Sequence, residues 1–137
     1  MRTAIIVLFC LCLLPYVMAF IAGYYRKKQL GAVDNQRPRE QYTQLTGPGA
    51  RAVGAQQNAW EALAIYMAAL LAIVATNTEV RLLALVATII LIARILHGIF
   101  YLANLDKLRS LSFLVAFISC VYLFFAVFLN LSMRLAI

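Results

Sequence analysis

RILHGIFYLANLDKLRS, residues 94–110, is the stretch on which the reading of the fold turns. Its first half closes an apolar run that starts near Leu82, which predicts a membrane-spanning helix. That helix nevertheless carries Arg94, His97, Tyr101 and Asn104, at offsets 0, 3, 7 and 10. At 3.6 residues per turn the four fall within a sector of roughly 80°. A charge at membrane depth costs at least about 2.5–3.5 kcal/mol unless it faces a bundle interior or a wet cavity. The stripe is therefore expected to point inwards, and the rest of the chain must supply what it points at.

Composition agrees with a membrane setting. Of 137 residues, 65% are hydrophobic and 12% charged, and the mean hydropathy is +0.90. A soluble domain of this length has too little interior to hide so much apolar surface. The net charge of +7 does not point to nucleic acid, because the basic residues flank apolar runs instead of forming one patch. Cys10, Cys12 and Cys120 all lie in apolar runs without metal-ligand spacing, and read as small buried hydrophobes.

Working outward, the sequence predicts one all-α domain over 1–137, with spans near 4–25, 57–75, 80–102 and 111–131. The first span ends in Tyr24-Tyr25 and Arg26-Lys27-Lys28, which describes a retained helix end rather than a cleaved leader. Pro15 is expected to kink it. Tyr24, Tyr25 and Trp60 read as interfacial anchors. Residues 26–50 are polar, and Pro38, Gly47, Pro48 and Gly49 predict a loop. The short connections at 76–79 and 103–110 make consecutive helices antiparallel. Arg26, Lys27, Lys28, Arg37, Arg39, Arg51, Lys107 and Arg109 sit on one side, against Arg2, Arg81 and Arg134 on the other. The positive-inside rule then places loops 26–56 and 103–110 in the cytoplasm and both termini outside it.

At the basic end the chain collects Arg51, Gln56, Asn58, Glu61, Arg94, His97, Tyr101, Arg109 and Ser110. One reading pairs Glu61 with Arg94 for mutual neutralisation and sends the others to lipid headgroups. The other reading is a pocket for an anionic, peptide-like ligand: guanidinium forks for carboxylates, Glu61 for an ammonium, and Arg109 with Tyr101 for a thiolate. A proton-coupled exporter using Glu61 is disfavoured, since that residue lies near the end of the second span.

NAWE (58–61) and RILHGIFYL followed by Arg109-Ser110 resemble motifs of the membrane-associated proteins in eicosanoid and glutathione metabolism, the MAPEG family. The likeness covers the whole chain in topology and about a third of it in motifs. It implies a homotrimer of four-helix bundles in a bacterial inner membrane, acting as a glutathione-dependent transferase or peroxidase on lipophilic electrophiles. It further implies catalytic roles for Arg109, Tyr101 and Ser110. Asn58 and Glu61 would bind the tripeptide's polar groups, His97 would line the pocket, and Gln56 and Arg26 or Lys27 would reach in across a subunit boundary, with Arg51 and Arg94 as further candidate binding residues. Where such proteins usually carry an arginine four residues before the Asn, this chain has Gly54. That departure supports the alternative of a non-catalytic membrane module, lipid-binding or accessory to a larger complex.

Overall fold

A computed structural model describes residues 1–135, and in it every regular element is helical. The elements are α1 (Arg2–Leu30), α2 (Pro38–Gln44), α3 (Gly47–Ala75), α4 (Leu83–Leu102) and α5 (Asp106–Leu135). All but α2 are long and apolar enough to cross a membrane. The chain is thus an integral membrane four-helix bundle, as its composition requires.

What holds the bundle together is written as stripes of small and branched residues. On α1 the buried positions are Ala4, Val7, Leu11, Pro15, Met18, Ala22 and Arg26, a repeat of three and four that keeps one face inward. The facing stripe of α3 begins Gly49, Ala52, Ala55, Ala59, so the two backbones approach closely along their loop-side halves. Tyr66 is fully buried, and its hydroxyl donates to the Ala4 carbonyl at 3.0 Å. The large residues left outside, such as Phe9, Phe20, Phe125 and Phe128, face where lipid would be. Trp60 meets Tyr16 edge-on at 5.5 Å, halfway along α1, whereas Tyr24 and Tyr25 stand at its loop-side end.

Two sequence expectations are revised, while α1 continues through Pro15, whose ring is fully buried. The polar segment 26–50 is no simple loop, because α1 continues to Leu30, α2 occupies its middle and α3 starts at Gly47. Pro38 and Pro48 each stand in a first helical turn, where the missing N–H has no intrahelical acceptor to lose. Asn104 leaves the inward stripe because α4 ends at Leu102. There it adopts φ +61° while Leu105 N–H reaches back to Phe100 O at 2.9 Å, closing the helix. Asn77 (φ +47°) closes α3 in the same way, with Thr78 N–H on Ile73 O at 3.0 Å.

Asparagine is among the few residues that tolerate this left-handed conformation. Asn104→Ala should therefore cost about 1–2 kcal/mol, and Asn104→Gly almost nothing. Thermal unfolding of the two variants in one detergent gives the comparison directly.

At the opposite end, Arg134 donates to Thr76 O at 2.9 Å and Asn77 O at 3.2 Å, fastening the last turn of α5 to the α3–α4 connection. The start of α1 lies at this end too, where Met1 lines a cleft with Thr78 and Leu83, away from α2.

Candidate functional site

Segments of α3, α4 and α5 converge on the α2 side of the bundle, and their polar residues divide between two clefts. One, of about 310 Å3, is lined by Asn58, His97, Tyr101, Arg109, Ser110 and Phe113. The other, of about 120 Å3 and mostly apolar, lies deeper between α3, α4 and α5 and includes Glu61, Arg94, Phe117 and Cys120. Phe113 belongs to both and stacks on Phe117, with centroids 5.9 Å apart and planes 7° from parallel.

Arg94 is 4% exposed. Its Nη2 donates to Asn58 O at 2.9 Å and to Asn58 Oδ1 at 3.2 Å. The expected Glu61–Arg94 ion pair is not formed: among the described residues the one salt bridge is the exposed Arg37–Glu40 contact at 3.6 Å. Glu61 is exposed and accepts from Gln57 Nε2 at 3.4 Å. The guanidinium of Arg94 is held by neutral oxygens of α3, which satisfies hydrogen bonding without cancelling charge.

His97 is one turn further along α4 and equally buried. Its Nδ1 lies 3.0 Å from the Arg109 carbonyl, which can only accept, so Nδ1 carries the proton. Nε2 is buried with no partner among the described residues. The same carbonyl accepts from Ser112 Oγ at 2.9 Å, so two side chains fix the first turns of α5 and the place from which Arg109 projects. Sequence reasoning passed over Ser112 because its role depends on a main-chain oxygen.

Tyr101 forms the centre of the larger cleft. Its ring packs edge-on to His97 at 5.7 Å, and the Arg109 guanidinium lies over the ring at 4.6 Å. Its hydroxyl fits against the backbone of α3 at Gly54, where a Cβ would come within 2.5 Å of the oxygen. The absent arginine at position 54 is thus replaced in space by the tip of Tyr101. Ser110 lines this cleft too, with its Oγ donating to Asp106 O at 3.0 Å.

The remaining candidates do not reach it. Arg51 lies within α3, but its Nε is bonded to Leu102 O at 3.0 Å, capping the end of α4. Gln56 is half-buried and lines neither cleft. Arg26 is 5% exposed and holds the α1–α2 connection: Nε donates to Gln41 Oε1 at 2.7 Å, Nη2 to the Asp34 carbonyl, and the guanidinium lies over Tyr42 at 5.2 Å. Gln29 completes the seat by exchanging two 3.1 Å bonds with the backbone of Thr46.

Arg26→Met should keep the apolar stem but leave Gln41 and Asp34 short of a donor. Each buried bond lost costs about 1–3 kcal/mol. The expected result is faster hydrogen exchange and proteolysis confined to residues 31–44, with the four long helices unchanged.

The MAPEG family profile matches residues 4–129. No curated protein and no solved structure gives a significant match. The match spans all four long helices and both motif segments, and the chain belongs to the MAPEG family.

Proposed function

We propose that the protein joins a low-molecular-weight thiol to lipophilic electrophiles that enter from the bilayer, with glutathione the co-substrate its family suggests. The observation that carries this reading is the Arg109 guanidinium, laid over Tyr101 in a cleft that opens beside Ser110 and Asn58. A free thiol has a pKa of about 8.5 and is mostly protonated at neutral pH. A guanidinium beside the sulfur favours the thiolate, the reactive form. The thiolate then attacks an electrophilic carbon. With the thiol proton passed to solvent, a sulfur lone pair becomes the C–S bond, and the pair of the bond broken at that carbon leaves with a departing group or moves onto an acceptor atom that takes up a proton.

Roles within the cleft follow from its geometry. Arg109 stabilises the sulfur anion, and Ser110 would assist only by turning its hydroxyl away from Asp106 O. Tyr101 is a positioning residue, because its ring supports the guanidinium while its hydroxyl is turned towards Gly54. Three copies would assemble, as in the family, with loops 26–56 and 103–110 on the cytoplasmic side of an inner membrane. Gln56 and the basic end of α1 would then lie close to a neighbouring subunit.

The test uses the detergent-purified protein, a thiol and a chlorodinitrobenzene, following thiolate absorbance at equilibrium and thioether formation in time. Saturable thiolate formation and a conjugate that scales with protein support the reading. A reaction no faster than with heat-denatured protein overturns it. The Tyr101 tip over Gly54 favours a second reading, a lipid-binding or accessory module whose cleft is filled from within. Retained binding of lipid without any thiolate signal is its signature.

A further inference from the structure

The deeper cleft has no part in the thiol chemistry so far. Its floor is apolar and buried, with Ile90 at 1% and Cys120 at 4% exposed. One wall is the parallel pair Phe113 and Phe117, a turn apart on α5. Set into this apolar surround is Arg94. Its Nη2 makes both bonds to Asn58, while Nε and Nη1 have no acceptor among the described residues. Unlike His97 Nε2, neither is sealed off, so these donors keep some open surface in the cavities that Arg94 lines. A charged donor in apolar surroundings favours any ligand that brings it an acceptor. The walls all come from α3, α4 and α5 of one chain, so a neighbouring copy can alter the mouth of the cleft but not its floor.

We propose that this cleft binds a single aromatic ring carrying a hydrogen-bond acceptor, such as a nitro or carbonyl group, and that the ring is the electrophile of the thiol chemistry proposed above. The second half of the proposal rests on that chemistry; the first does not. Size sets the ring count. A closed apolar cavity of about 150 Å3 admits benzene. This cleft holds about 120 Å3 and is open along the exposed edge formed by Glu61, Phe113 and Phe117, so one ring fits and a second would stand outside. The aromatic wall sets the kind of ligand, because ring-to-ring contact is favoured beyond the area it buries and a saturated chain gains none of it. Arg94 sets the substituent, since its unengaged N–H groups need an oxygen. A ring held there lies against Phe113, the one residue the two clefts share, and so borders the place of a thiolate beside Arg109.

The experiment photolabels the full-length protein in detergent with azidonitrobenzene, which needs no thiol, and reads the labelled residues by peptide mass spectrometry. Saturable label is expected on residues 61–65 and 113–120, which line the cleft. Unreactive dinitrobenzene should displace it at least fivefold more effectively than toluene at equal free concentration. Ala62→Leu fills the cleft from a half-buried position. It should lower the saturable label at least fivefold and raise KM for chlorodinitrobenzene by a similar factor, with kcat and thiolate absorbance within twofold of the parent. Cys120→Met fills the cleft from α5 should Ala62→Leu lose its thermal transition. Toluene or laurate displacing the label as well as dinitrobenzene would overturn the ligand class. Label that does not saturate, or that lies outside these segments, would overturn the site, and conjugate formation alongside it would leave the thiol reading intact. An unchanged KM in a filled variant that has lost its label would overturn the role of the cleft as the electrophile's seat. Saturable label in the cleft without any thiolate signal would support the ring site and overturn the thiol chemistry.

Discussion

Arg109→Ala should lower kcat/KM for thioether formation by about 10²–10³-fold, the loss typical when one preorganised partner of a reacting anion is removed. Stability should scarcely change. The guanidinium makes no ion pair within 4 Å among the described residues, and its contact with the Tyr101 ring is at a half-buried site. Such a contact is worth about 0.5–1 kcal/mol. Arg109→Lys separates charge from shape: the ammonium keeps the charge but neither stacks flat on Tyr101 nor offers a planar fork. It should retain part of the thiolate signal and recover only part of the rate. Equal losses in Lys and Ala variants would mean that stacking, not charge, positions the reaction. An unchanged rate in Arg109→Ala would remove Arg109 from the mechanism.

Gly54→Ala should destabilise the bundle and disturb the same reaction from a distance. The new methyl would meet the Tyr101 hydroxyl oxygen at 2.5 Å and ring carbons at 3.0 and 3.3 Å. Tyr101 has little freedom to retreat, since His97 and Arg109 flank its ring. Overpacking of this kind costs about 1–3 kcal/mol, set against about 0.5–1 kcal/mol recovered by removing a glycine from a helix interior. The net is a loss. In a Tyr101→Phe background the closest clash disappears, and Gly54→Ala should become neutral or mildly stabilising. A double-mutant cycle on unfolding midpoints in detergent measures this coupling. Additive effects would show that Tyr101 does not occupy the space over Gly54. Gly54→Arg, which introduces the arginine that the family resemblance would place there, should displace Tyr101 altogether and reduce activity instead of raising it.

Much of the fold was legible because lipid imposes simple demands. Four apolar runs, short turns and a one-sided basic distribution leave few alternatives to a four-helix bundle. The inward stripe was legible for Arg94, His97 and Tyr101, whose spacing is helical, and failed at Asn104. A periodicity argument has no knowledge of where the helix stops, and the stop at Leu102 is set by a left-handed asparagine. Pro38 and Pro48 were misread because a proline breaks a helix interior but suits its first turn. Asn58, His97, Tyr101, Arg109 and Ser110, which the sequence groups together, line one cleft in the fold. Arg26, Arg51 and Arg94 were assigned to a ligand because guanidinium groups suggest carboxylates. In the folded chain each is engaged by oxygens of the protein itself, three of the five being main-chain carbonyls, which carry no residue-type signature.

That choice of acceptor bears on how the chain can change over time. Tyr66 to Ala4, Arg51 to Leu102, Arg94 to Asn58, His97 to Arg109 and Arg134 to Thr76 each join a side chain to a peptide oxygen. No substitution deletes a peptide oxygen, so only one half of each tie is exposed to genetic drift. As far as these ties go, Ala4, Leu102 and Thr76 are free to vary in side chain as long as the helix keeps its course, whereas Asn58, which also accepts through Oδ1, and Arg109 are held by their places in the cleft. Pairwise covariation across homologues would then be faint at most contacts that join the helices. The donors Arg51, Tyr66 and Arg134 should instead stand out singly, as positions that change little beside partners that change freely.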